Sequence, residues 1–294
     1  WTGQTLSEMQ TVARKPMAIA AEAIKNLLGT LQPTDTVSVV AFADRVHPVF
    51  TAADWASFQD QCLQQMDLLR EQRLPADIGT GTYMAEALRV ASEQLKQAPK
   101  GNSVNRLILI SDGIVQDADV TMLAVNALQE EGYAITTIGV GDEFDEEFLT
   151  KVADNSRGQY YYAANSIEIT EQLQQEMTTL ESVTLSDVYV AVRGISGTMV
   201  QDIFQVQPTM ALFDELYTES DWLRTRLGDI STASKTGIIV QIAPITLEAG
   251  TQPLAEVQFT WAQSLGTEGL GPGTEKVTIS ANVTPDASLT DQHN

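Results

Sequence analysis

The sequence predicts an α/β domain with a doubly wound, mostly parallel sheet and helices on both faces, followed by an all-β sandwich. Two observations predict it. Up to about residue 180, helical and strand periods alternate along the chain, the pattern of a sheet wound with crossover helices. Beyond about 182 the apolar residues recur every second position between glycine, proline and threonine punctuation, which reads as a sandwich. The expected boundaries are 1–181 for the α/β domain, 182–286 for the sandwich and 287–294 for a polar tail.

The elements follow in order. Met17, Ala20, Ala21, Ile24, Leu27, Leu28 and Leu31 recur at helical spacing behind Pro16, a residue suited to a first turn. "TVSVVAFAD" (36–44) is a β-branched strand, and "RVHPVF" (45–50) is its hairpin partner, marked as an edge by Pro48. A glutamine-rich amphipathic helix covers about 53–70, and a second helix runs to about Gln97. "NRLILISDG" (105–113) reads as a strand buried on both faces. Helices at about 119–131, 144–154 and 166–180 alternate with strands at 133–141 and 158–164. Four later stretches, beginning at Val183, Lys235, Leu254 and Glu275, alternate with period two, while 212–230 reads as strand or loop with one helical turn.

Composition restricts function. The 294 residues carry 39 acidic against 17 basic side chains, a formal net charge of -22. Such a surface repels nucleic acid and anionic membrane and suits metal ions and neutral or basic protein surfaces. No apolar run reaches the ~18 residues that span a bilayer. The lone cysteine, Cys62, excludes an internal disulfide and fits a reducing, cytoplasmic compartment; its spacing with Phe58, Met66 and Leu69 reads as a buried thiol. The first residue is Trp1, so a lost leader is compatible with the sequence.

In open α/β sheets ligands sit beyond the carboxyl ends of the strands. Asp112 and Gly113 end one strand, and Asp142 follows another. Before both in the chain lies "GTGTYMAEAL" (79–88), a glycine-rich entry into a helix. It lacks the lysine of a phosphate-binding loop. Thr82 is either a helix cap or a hydroxyl ligand that joins Asp112 at a hard divalent cation. His47 and His293 lie on an edge strand and in the tail, so no nucleophile or general-base constellation accompanies Asp112 and Asp142; the chain is not expected to be an enzyme. "NVT" (282–284) matches a glycosylation acceptor but reads as an exposed strand.

"GTGTYMAEAL", "NRLILISDG" and "YAITTIGVGDEFDEEFLTKVADNSRGQYYY" (133–162), in that order, resemble the von Willebrand factor A (vWA) family, whose sheet is Rossmann-like; the likeness spans about 16–180. The resemblance implies a metal-ion-dependent adhesion site. Thr82 matches the family's loop threonine and Asp112 its strand-end aspartate, with Thr80, Gly81, Tyr83, Gly113 and Asp142 forming the rim. The ion implied is Mg²⁺, or Mn²⁺ or Ca²⁺, with one open position for a carboxylate of a partner protein. The family's Asp-x-Ser-x-Ser motif and first strand are not in these 294 residues. They are expected upstream of Trp1 or from another segment, and these residues alone are not expected to complete the site. A looser likeness, in Leu227–Ile230 and 254–284, is to bacterial vWA proteins with a trailing sandwich. The alternative function implied is a cofactor subunit for a MoxR-type AAA+ ATPase.

Overall fold

A computed structural model describes residues 16–33, 35–71, 73, 77–97, 104–207, 211–212, 216–233, 235–244, 247–264 and 272–284. The expected tail at 287–294, His293 and the stretch before Pro16 lie outside the described residues. Two compact units divide the chain, one reaching Thr178 and one running from Thr179 onward with Val104.

The first unit contains α1 (Pro16–Leu28), β1 (Thr36–Phe42), β2 (Val46–Asp54), α2 (Trp55–Arg70), α3 (Ala85–Gln97), β3 (Arg106–Ser111), α4 (Ala118–Glu130), β4 (Ala134–Val140), α5 (Glu146–Ser156), β5 (Tyr160–Ala163) and most of α6 (Ser166–Glu181). β3, β4 and β5 form a parallel sheet in that order, with Leu109 opposite Thr137 and Ile138 opposite Tyr161. Alternate residues of β3 enter two different cores. Leu107 and Leu109 pack with Val125 and Leu128 of α4 and Phe148 and Leu149 of α5. Ile108 and Ile110 pack with Ala23 and Leu27 of α1 and Ile169 and Leu173 of α6. Helices therefore cover both faces, as a strand apolar at every position requires. Fully burying a side chain such as Leu149 or Leu173 contributes about 1.5–3 kcal/mol.

Local signals fix the helix ends. Asp145 accepts the amide of Phe148 at 3.0 Å to cap α5, and Arg157 (φ 60) closes it in the left-handed region. Gly158 follows because a Cβ there would lie 2.0 Å from the Ile135 carbonyl oxygen.

β1 and β2 form a separate antiparallel hairpin in which Pro48 pairs with Val40 on the edge strand. Its core joins Ala41 and Val49 to Leu28 of α1 and to Trp55, Cys62, Met66 and Leu69 of α2; Cys62 is buried. Among the described residues no strand hydrogen-bonds β1 to β3.

Among the described residues the strand pairs of the second unit are antiparallel. Its strands are β6 (Val183–Gly194), β7 (Thr198–Gln207), β8 (Ala211–Leu212), β9 (Tyr217–Glu219), β10 (Trp222–Ser231), β11 (Gly237–Pro244), β12 (Gly250–Trp261), β13 (Gln263–Ser264) and β14 (Gly273–Val283). One sheet runs β14-β12-β6-β10-β9, with β13 also on β6, and a smaller one runs β11-β7-β8. Val188, Val190 and Val192 of β6 share a core with Ile203 of β7 and Val257 of β12.

Two expectations need correction. The helical turn expected within 212–230 is replaced, in the described part, by a hairpin. Ser220 (φ 49) and Asp221 (φ 75) are its two central residues, the double positive φ of a type I′ turn. Strand β7 was not expected. Its apolar residues Met199, Val200, Ile203, Phe204 and Val206 fall on both parities, so no period of two shows.

Candidate functional site

The site is built where β1 and β3 end. Past Phe42, Ala43 donates its amide to the Arg45 carbonyl at 3.0 Å, and the chain turns around Asp44. The Asp44 carboxylate then accepts two amides from the glycine-rich loop, Thr80 at 3.3 Å and Gly81 at 3.0 Å. A Cβ on the glycine at either side would crowd this contact. Gly79 has φ +86, and a Cβ on it would lie 2.0 Å from Asp44 Oδ2; one on Gly81 would lie 2.2 Å from Asp44 Oδ1 and 2.7 Å from Gln116 Oε1.

The same loop is gripped from the other side by the segment after β3. Gln116 donates its amide to the Thr82 carbonyl at 2.9 Å. Asp117 accepts the amides of Met84 at 2.9 Å and Ala85 at 3.0 Å, one on each carboxylate oxygen. The carboxylate thus lies on the positive end of α3, where an anion is stabilised by about 0.3–1 kcal/mol.

This arrangement bears on one of the two readings of Thr82, the helix cap. The cap of α3 is Asp117, not the Thr82 hydroxyl, and among the described residues no hydrogen bond uses Thr82 Oγ1. That hydroxyl sits against Gly113, where a Cβ would meet it at 2.4 Å. Asp112, the preceding residue, is exposed. Thr82, Gly113 and the strand end at Asp112 are therefore brought together. Thr80 and Gly81 belong to the same loop, and Tyr83, 41% exposed, stands beside Gly81.

Asp142 is placed differently. It follows β4, is exposed, and accepts a hydrogen bond from the Tyr162 hydroxyl at 3.4 Å. Tyr162 stacks on Phe144 at 5.9 Å between ring centroids, and desolvation together with the Asp142 charge raises its phenol pKa. No hydrogen bond joins Asp142 to Thr82 or Asp112 among the described residues. His47 lies on β2, part of the hairpin edge.

The donor chemistry suits a hard cation, since an unengaged hydroxyl and an exposed carboxylate are the oxygens that Mg²⁺, Mn²⁺ or Ca²⁺ prefer. They are two donors of a set of six or more. Among the described residues no three acidic, histidine or cysteine side chains converge as a metal cluster, so the other donors would be water or groups outside those residues. The amides that could cradle an anion are already filled by Asp44 and Asp117, which disfavours a phosphate.

Sequence reasoning missed Asp44, Gln116 and Asp117. Asp44 was findable, because it follows a strand end just as Asp112 and Asp142 do. Asp117 reads as the cap of the helix it precedes, and nothing local signals that its side chain reaches α3.

A family model described as the von Willebrand factor type A domain matches residues 10–176, over half of the chain. A von Willebrand factor type A structure from Catenulispora acidiphila, 19% identical, superposes with a TM-score of 0.76 and covers 96% of this chain and 65% of its own. The human COPII-coat protein Sec24c, 13% identical, gives a TM-score of 0.59 over 93% of this chain and 42% of that one. An uncharacterized protein of Synechocystis sp. is 23% identical over 257 residues, 84% of this chain and 58% of that protein. The chain thus spans less than two thirds of the length of these relatives, and at these identities the structural likenesses establish the fold alone.

Proposed function

The chain belongs to the von Willebrand factor type A family, typically protein-interaction modules, and from that premise we propose that its α/β unit docks a carboxylate of a partner protein through a divalent cation held by Thr82 and Asp112. The observation that supports this reading most is that the Thr82 hydroxyl makes no hydrogen bond among the described residues, on a loop whose neighbouring backbone groups are bound. A hydroxyl in a polar loop that is kept out of the helix cap is available to an external group. When bound, Mg²⁺, Mn²⁺ or Ca²⁺ would offer an open position to a carboxylate oxygen. Thr82 and Asp112 would hold the ion, Gly113 gives the hydroxyl room, and Tyr83 and Ile114, next in the chain to Thr82 and Gly113, are exposed.

The charge of -22 repels an acidic partner at long range, so this docking depends on the cation rather than on the general field. In this reading the unit does no catalysis and sits in the cytoplasm. No helix among the described residues is long and apolar enough to cross a bilayer. The two antiparallel sheets of the second unit are read as a sandwich, because β6 and β7 contribute to one core.

The test is retention of a partner by the full-length protein in Mg²⁺. Release by EDTA and loss in Asp112→Asn support the proposal; binding indifferent to EDTA contradicts it. The alternative, service to a MoxR-type AAA+ ATPase, predicts altered ATP turnover on mixing and does not need the Thr82 hydroxyl.

A further inference from the structure

Asp117 occupies the N-cap position of α4 (φ -125, ψ 39), yet its side chain makes no cap hydrogen bond to the amides of its own helix. An aspartate so placed ordinarily accepts an amide of the turn it begins. Here one oxygen takes the Met84 amide and the other the Ala85 amide, both at the start of α3. The Thr121 hydroxyl donates to Asp117 Oδ1 at 3.0 Å and fixes the carboxylate from its own helix. A local rule is broken at α4 so that a contact can be made at α3, and such departures concentrate at functional sites.

Asp44 is the counterpart from the β1 side. With Asp77, which accepts the Gly79 amide at 3.0 Å, it takes the first amides of the loop. Tyr83 donates to the Ala43 carbonyl at 3.3 Å. The amides of Gly79, Thr80, Gly81, Tyr83, Met84 and Ala85 are all engaged, and Gln116 holds the Thr82 carbonyl. Apart from Asp77, these anchors come from the segments that follow β1 and β3, two strands that do not bond to each other among the described residues. The loop is therefore fixed from both sides.

We propose that Asp117 and Asp44 are positioning residues: together they clamp residues 79–85 so that Thr82 presents its hydroxyl beside Gly113 and Asp112. Neither contacts the ion in this scheme. The functional consequence rests on the cation-docking reading above, while the clamp itself is a property of the loop. Held in place, Thr82 offers its oxygen with little entropy left to lose on coordination, which is how preorganised sites gain affinity. A loosened loop keeps the same donors and binds more weakly.

The experiment compares the full-length parent with Asp117→Ala, Asp117→Asn, Asp44→Ala and, as a control on the exposed first turn of α4, Asp119→Ala. Amide hydrogen exchange is followed at residues 79–88, and Mn²⁺ affinity is measured on the same samples. Loss of the clamp is expected to speed exchange at Met84 and Ala85 by about fivefold or more and to weaken Mn²⁺ binding by about tenfold, with unchanged far-ultraviolet circular dichroism. Asp117→Asn keeps one acceptor and should fall between; should Asp117→Ala fail to fold, Asp117→Asn decides. Asp119→Ala should match the parent. Parent-like exchange in the clamp variants overturns the proposal, as does faster exchange with unchanged Mn²⁺ affinity. A parent that binds no Mn²⁺ defeats the docking reading instead, and exchange alone then decides the clamp.

Discussion

Glu176 of α6 lies 3.0 Å from Arg106 of β3, with side chains 2% and 11% exposed. The Arg106 Nε–H is not aimed at the carboxylate, so the contact is charge against charge. The carboxylate accepts instead from the Thr136 hydroxyl at 2.8 Å and the Tyr161 hydroxyl at 3.5 Å. One acid thereby ties the last helix of the α/β unit to all three strands of the parallel sheet.

Removing one partner strands a buried charge, so Glu176→Gln should destabilise by about 3–5 kcal/mol. Replacing both, as Arg106→Leu with Glu176→Leu, should cost less, because no charge is left stranded and only the Thr136 and Tyr161 hydroxyls lose an acceptor. Urea denaturation of the three proteins checks this. A double variant as unstable as Glu176→Gln would contradict it.

Alkaline pH should weaken the same region. Desolvation, and then the Glu176 charge, push the Tyr161 phenol up to about 12; desolvation and Glu146 do the same to Tyr160, also to about 12. A folded pKa above the unfolded value of about 10 means that stability is fully present below pH 10 and is lost as pH rises toward 12. Tyr161→Phe should flatten part of that loss. Denaturation midpoints between pH 9 and 12 measure it, and an identical slope in the variant would sink the assignment.

The glycines of the site separate two costs. Gly141 (φ +79) has open space around it, whereas Gly79 (φ +86) sits 2.0 Å, at its missing Cβ, from Asp44 Oδ2. Gly141→Ala should cost about 1–2 kcal/mol, the penalty of the left-handed region alone. Gly79→Ala should cost more, since Asp44 must also move. Equal midpoint shifts for the two variants would argue against the Asp44 contact.

Much of the fold was legible because its signals are local. Period switching located the helices and strands of the first unit to within a few residues, and the run at 105–113 announced a strand packed on both faces. What was hidden was non-local. The side chain of Asp117 crosses to another helix, and Asp44 meets a loop 36 residues away; neither spacing has a sequence signature. β7 was obscured because both its faces carry apolar residues. The Thr82 question could not be answered by sequence, since a cap and a ligand use the same hydroxyl; finding the cap elsewhere answered its structural half.

Thr82→Val is the sharpest test of that answer. The hydroxyl makes no hydrogen bond among the described residues, so stability should change by less than about 0.5 kcal/mol. A midpoint shift well beyond that would mean that the hydroxyl has a structural role after all.

The central claim is tested most directly by electron paramagnetic resonance titration of Mn²⁺ into the full-length protein and its Thr82→Val, Asp112→Asn and Asp142→Asn variants. The account predicts that Thr82→Val and Asp112→Asn each weaken binding by at least about tenfold, while Asp142→Asn, engaged with Tyr162, changes it little. Mn²⁺ affinity unchanged in both Thr82→Val and Asp112→Asn would contradict it.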